Sequence, residues 1–178
     1  HIWLRQRPGN DIAWIHGLIH IIIKESLHAS DYIRERTEGF AELEKAVEKY
    51  TPQHVSEITG IPVPDLRKAA FMYGKARPAS ILYTMGITQH TNGTDTVLAL
   101  ANLAMVCGNI GVEGGGINPL RGQNNVQGAC DMGALPNVLP AYQQVTNNES
   151  REKFSRAWGV TLPDKPGLTV VEISHAAE

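Results

Sequence analysis

Residues 79–84, Ala-Ser-Ile-Leu-Tyr-Thr, form a short apolar run, and residues 94–106 follow as a helix-length stretch whose single charge is Asp95. A helix apolar around most of its circumference is buried on several sides. A short apolar strand leading through a polar loop into such a helix implies α/β layering around a parallel sheet. Ligands in such sheets sit beyond the carboxyl ends of the strands. That singles out the loop 84–93, Thr-Met-Gly-Ile-Thr-Gln-His-Thr-Asn-Gly.

The same pattern opens the chain. His1-Ile-Trp-Leu-Arg5 reads as a strand, and Arg7-Pro-Gly-Asn-Asp11 breaks it, with Asn10 or Asp11 available to cap a helix. Ile12, Ile15, Ile19, Ile22 and Ile23 then share one helical face, to an end near Leu27. A short helix from Asp31 is stopped by Gly39, and Phe40, Leu43, Val47 and Tyr50 mark the buried stripe of the next. Thr51 and Pro52 supply an N-cap and a first helical residue, with Gly60 as the stop. Residues 64–74 and 149–158 read as further helices, and Thr169 begins another that runs to Glu178.

Between 108 and 133 the character changes: eight of the chain's 17 glycines fall there, at 108, 111, 114, 115, 116, 122, 128 and 133. Glycine lets backbone turn sharply and approach a ligand closely, so regular structure is not expected in this stretch. The fold class is therefore α/β, with parallel-sheet Rossmann-like layers and a Gly-rich irregular loop region. At 178 residues the chain is sized for a single α/β domain, 1–178.

Composition narrows the function. With 42% hydrophobic and 19% charged residues the chain is too apolar for disorder. A net charge of −2 and no Lys/Arg run exclude a nucleic-acid groove or an anionic membrane surface as partner. The longest strongly apolar stretch, 18–23, is interrupted by His20 and falls far short of the roughly 20 residues that span a bilayer. Cys107 and Cys130 form no Cys-x-x-Cys pair, so neither a zinc site nor an iron–sulfur motif is written here. Free thiols in a reducing compartment are the plainer reading, and a cytoplasmic location follows.

Loop 84–93 offers hydroxyls, amides and two glycines before a helix N-terminus, a place that suits phosphate oxygens. Without Gly-x-Gly-x-x-Gly or Gly-Lys-Ser/Thr it is equally an ordinary βα loop with a good cap. Arg121 precedes a glycine and three amides, Gly122-Gln-Asn-Asn125. Its planar fork matches a carboxylate, so the loop suits a small anion or a heterocycle. The competing reading is a surface loop in which Arg121 pairs with Asp131 or Glu113. His16 and His20 lie four apart but lack the glutamate of a zincin motif, and they read as histidines at the edge of an apolar face. His90 sits in the nucleotide-like loop. Trp3, Trp14 and Trp158 read as core or interface residues. No carboxylate pair, Ser/His/Asp or Cys/His arrangement emerges, and no metal ligand is assigned.

The run Asn118-Pro-Leu-Arg-Gly-Gln-Asn-Asn-Val-Gln-Gly-Ala-Cys-Asp-Met-Gly-Ala-Leu-Pro136 closely resembles a segment of the catalytic (alpha) subunits of molybdenum- or tungsten-dependent formate dehydrogenases, within the wider dimethyl-sulfoxide-reductase family of molybdopterin oxidoreductases. Met85-Gly-Ile-Thr-Gln89, Gly108-Asn-Ile-Gly111, Arg36-Thr-Glu-Gly-Phe40, Tyr50-Thr-Pro52 and Ile58-Thr-Gly60 resemble the same family in the same order. The resemblance implies an enzyme that interconverts formate and carbon dioxide at a bis(molybdopterin guanine dinucleotide) centre carrying Mo or W. It implies Arg121 as the catalytic, formate-orienting residue. Gly122 and Gln123 would line the pocket or touch the pterin, Met85, Gly86 and Gln89 would touch the cofactor, and the Pro8-Gly9-Asn10-Asp11 turn would bind a dinucleotide through Gly9 and Asp11. Cys130 matches a position inside the long motif and not the metal ligand. The family's Cys or Sec ligand and its 4Fe-4S motif are expected before His1, and a further cofactor-binding domain beyond Glu178. The chain is thus expected to be an internal fragment, inactive alone, of a protein that works with electron-transfer subunits. Two alternatives remain: another molybdopterin oxidoreductase such as a nitrate reductase, and a non-catalytic dinucleotide-binding module.

Overall fold

A computed structural model describes residues 1–177 and divides them into two compact units, residues 1–120 and residues 121–177. The first is built on α1 (Asp11–Lys24), whose Ile15, Ile19 and Ile22 are fully buried. Around it lie α2 (Ser30–Arg36), α3 (Phe40–Val47), α4 (Pro52–Thr59) and α5 (Val63–Lys75). β1 (Ser80–Tyr83), a single turn α6 (Met85–Thr88), the long α7 (Gly93–Val106) and β2 (Gly116–Pro119) follow. α1 packs against α5 and α7, and Leu66, Val55, Leu100 and Leu103 close the same core.

The α/β expectation holds: helices dominate, and β1 and β2 pair in parallel with Ile81 opposite Ile117. The glycine-rich stretch is less irregular than its composition suggests. It contains β2, because the Leu120 N–H reaches the Tyr83 carbonyl at 2.7 Å and the Gly116 N–H reaches that of Ala79 at 3.3 Å. Asn109, 1% exposed, ties the same region together by accepting the Ala79 N–H at 3.0 Å.

Residues 1–5 do not form the expected strand. Their side chains alternate as a strand's would, with Ile2 and Leu4 packed on the core and Trp3 78% exposed. Among the described residues, however, no neighbouring strand pairs with them. The pattern of burial was right, and the hydrogen-bonding partner that defines a strand is missing.

Local rules account for most helix ends. Thr51 accepts the His54 N–H, Pro52 occupies the first helical position and Gly60 ends α4 in the left-handed conformation. Because α4 delivers the fully buried Val55 to the core, Thr51→Ala is expected to weaken its first turn by about 1 kcal/mol. Hydrogen exchange of the α4 amides should then quicken roughly fivefold. At α1 the cap differs from expectation: Asn10 is the N-cap residue but makes no side-chain cap bond, its amide donating instead to the Arg7 carbonyl at 3.3 Å.

The second unit contains α8 (Val126–Asp131), an antiparallel pair β3 (Val138–Leu139) and β4 (Gln143–Gln144), α9 (Asn148–Trp158) and α10 (Val170–Ala176). A 3-10 turn at Pro140–Tyr142 joins the strands. Its core is small, resting on Val138, Leu139 and Val145. Thr169 and Glu172 form a reciprocal capping box at α10. The far end of the expected helix, Glu178, lies outside the described residues. No helix among the described residues is long and apolar enough to cross a membrane.

Candidate cofactor and substrate loops

In the first unit, the loop after β1 is folded into the α6 turn and not left open. Ile87 packs against the core, and the His90 ring nitrogen bonds the Gly86 carbonyl at 3.0 Å. Gly93 begins α7 so close to α6 that a Cβ there would lie 2.1 Å from the Thr88 carbonyl oxygen. These contacts hold the turn from beneath. Met85, 57% exposed, and the exposed Gly86 and Gln89 are turned outward together.

Gly9 and Asp11 lie elsewhere in that unit. Gly9 is exposed with φ +81°, as the turn requires. The turn is fastened to the carboxyl end of α4: the Arg7 N–H donates to the Thr59 carbonyl and its guanidinium to the carbonyls of Glu57 and Ile58. Asp11 is buried, its carboxylate accepting from the Gln6 amide at 3.1 Å and the Trp14 indole at 3.3 Å. It supports the turn from below and does not face out of it. Trp14 is thereby half-buried in the core as expected.

In the second unit Arg121, Gly122 and Gln123 stand together on an exposed loop. Within that unit and among the described residues, the Arg121 guanidinium has no hydrogen-bond or ion-pair partner. The alternative of an Arg121–Asp131 pair is not realised, because Asp131 is taken by Gln127 at 2.9 Å and Tyr142 at 3.0 Å. Asn125 closes the loop in the left-handed conformation, φ 46°, and its side chain accepts the Gly128 N–H to cap α8. The hydrogen bond to Asp131 also holds the Tyr142 phenol above its ordinary pKa. Sequence spacing gave no sign of this Gln127–Asp131–Tyr142 group.

Two of the expected cofactor residues share a property that the fold does not explain. Gly86 and Gly122 have ordinary φ values, and a Cβ at either would meet nothing within 4 Å. Neither turn geometry nor internal packing demands glycine there, whereas close approach of a bound group would. Each loop by itself carries donors and acceptors that suit a pterin or its phosphates: in the first unit the Gln89 amide stands near Gly86, and in the second the Gln123 and Asn124 amides stand near Gly122, where Arg121 adds an exposed cation. On the donor chemistry and the open glycine in each, the two loops taken separately fit parts of a molybdopterin.

A model of the molybdopterin oxidoreductase family matches residues 1–178. The chain belongs to the molybdopterin oxidoreductase family. It is 51% identical over 172 residues to an alpha subunit of formate dehydrogenase from Methanocaldococcus jannaschii, matching 97% of this chain and 25% of that protein. It is 49% identical over 178 residues to formate dehydrogenase H of Escherichia coli, matching 99% of this chain and 25% of that protein. Acetylene hydratase from Pelobacter acetylenicus shares the fold with a TM-score of 0.59 and 34% identity, over 60% of this chain and 15% of its own. The chain thus spans about a quarter of the length of these two formate dehydrogenases.

His20 is bonded to the Val47 carbonyl at 3.1 Å, and the His16 ring packs edge-on against Tyr50. Burial, with Lys49 nearby, lowers the His16 pKa. Both cysteines are free thiols, and burial pushes Cys107 up to about 11. Among the described residues no group of three or more His, Cys, Asp or Glu is arranged to hold a metal.

Proposed function

We propose that this chain is part of the catalytic subunit of a formate dehydrogenase, carrying the substrate arginine and part of the cradle for a bis(molybdopterin guanine dinucleotide) group. The observation that carries the proposal is the outward guanidinium of Arg121, without a partner in its unit and followed by Gly122, whose missing side chain no internal contact requires. The formate dehydrogenase relatives, about half identical over nearly the whole chain, support formate as the substrate.

In this reading Arg121 binds the formate carboxylate through its planar fork and holds it against charge redistribution as the C–H bond breaks. Gln123 orients the bound anion, and Gly122 lets backbone approach it. Met85, Gly86 and Gln89 hold the pterin side of the cofactor. The Gly9 turn receives a dinucleotide, the turn being kept in shape by Asp11. The molybdenum- or tungsten-pterin group, when bound, would supply the acceptor for the two electrons that leave formate as it becomes carbon dioxide, with the proton of the C–H bond released to water. A 4Fe-4S cluster and electron-transfer partners outside this chain would take up those electrons, in a cytoplasmic enzyme.

The full-length, cofactor-loaded subunit is expected to reduce a viologen dye with formate. Nitrate-dependent oxidation of reduced dye, with no response to formate, would favour the nitrate reductase alternative. The metal-free chain of 178 residues is expected to reduce no dye with formate, and measurable turnover by it would defeat that expectation.

A further inference from the structure

The far side of α8 is held by a closed polar triangle. The Gln127 amide nitrogen donates to Asp131 Oδ1 at 2.9 Å and to the Tyr142 hydroxyl at 3.0 Å, and that hydroxyl donates to the same Oδ1 at 3.0 Å. The donor count closes: the amide supplies two N–H groups, the phenol one O–H, and the carboxylate oxygen accepts twice. The backbone beneath Tyr142 is unusual. Ala141 and Tyr142 have φ 59° and 57°, consecutive non-glycine residues in the left-handed region. Such conformations persist only where the surroundings over-determine them.

The neighbouring packing supplies that determination. After α8, Gly133 passes so close to the Pro140 turn that a Cβ would lie 2.8 Å from the Leu139 carbonyl carbon and the Pro140 nitrogen. α8 is therefore clamped to the turn twice, by backbone at Gly133 and by the phenol of Tyr142. At its other end α8 grows out of the Asn125 cap that closes the Arg121 loop. Whatever fixes α8 fixes the carboxyl end of that loop.

We propose that Tyr142, acting through Asp131 and Gln127, is a positioning residue that locks α8 and so sets the Arg121 loop for its substrate. This rests on the assignment of Arg121 made above. The left-handed turn aims the phenol at the helix, and the carboxylate and amide receive it.

The test uses the full-length, cofactor-loaded enzyme. Tyr142→Phe keeps the ring and removes the hydroxyl. Amide exchange across residues 126–131 is expected to quicken by roughly tenfold, a readout independent of turnover. KM for formate should rise by roughly fivefold to tenfold, with kcat changing far less. Asp131→Leu should behave similarly, and Asp131→Asn, which keeps an acceptor oxygen, should restore most of the loss. In an Arg121→Lys background the Tyr142→Phe penalty should shrink, since both act through one group. Unchanged exchange, unchanged KM, or a fully additive penalty would each overturn the proposal and leave the Arg121 assignment intact. Formate kinetics unchanged by Arg121→Lys alone would remove that assignment, and this proposal with it.

Discussion

Arg121→Lys in the full-length enzyme is expected to lower kcat/KM for formate by about 100-fold or more. The charge survives the change, so long-range attraction of the anion persists. What is lost is the planar pair of parallel N–H donors that a carboxylate accepts from both oxygens. A lysine ammonium can meet one oxygen well, but it leaves the anion free to rotate about that contact. If geometry at the reacting carbon matters, kcat falls along with affinity. Because Arg121 has no partner among the described residues of its unit, removing its fork breaks no contact described there, and the fold should be untouched. Steady-state kinetics with formate, alongside thermal unfolding of the same protein, separate these effects. Parent-like kinetics would make Arg121 a surface residue.

Gly93→Ala is expected to damage the first unit's loop through packing alone. The added methyl would lie 2.1 Å from the Thr88 carbonyl oxygen and 2.8 Å from its carbon, both backbone atoms that cannot rotate away. Either α6 moves off α7 or α7 loses its first residue. Forcing a methyl into a site without space costs about 1–3 kcal/mol. The displaced turn carries Met85, Gly86 and Gln89, so pterin retained after gel filtration should fall together with the melting temperature. Gly86→Ala provides the contrast. Its methyl points into open space, so the melting temperature should hold while pterin retention falls. Equal retention by both variants and the parent would take this loop out of the cofactor cradle.

How far the sequence reveals these features depends on the range of the interaction. α4 is legible because Thr51, Pro52 and Gly60 act on their own backbone neighbours. α7 is legible because a nearly chargeless helix has nowhere to go but inside. β2 is hidden. Gly116-Ile-Asn-Pro119 has the composition of a turn and becomes a strand only because β1 offers its edge, a fact 36 residues away from Ser80 along the chain. The strand expected at residues 1–5 fails for the converse reason, its alternation being local and its partner not. Among the candidate site residues, Met85, Gly86, Gln89 and Arg121 are exposed, which follows from their polar, glycine-bearing loops, while the burial of Asp11 depends on Gln6 and Trp14 and could not be read from its position in a turn. The group around Tyr142 depends on two left-handed residues that nothing in Pro-Ala-Tyr announces.

That β1 pairs with β2 alone among the described residues has a practical side. A sheet of two strands is all edge, and each strand keeps a row of N–H and C=O groups turned away from its mate. Residues 1–7 add a third extended stretch whose backbone has found no ladder among the described residues, with Trp3 displayed on its outer face. Surfaces of this kind recruit further strands. Concentrated by itself, the chain should associate through these edges, and lysine or proline in place of Trp3 would be the natural way to keep it in solution.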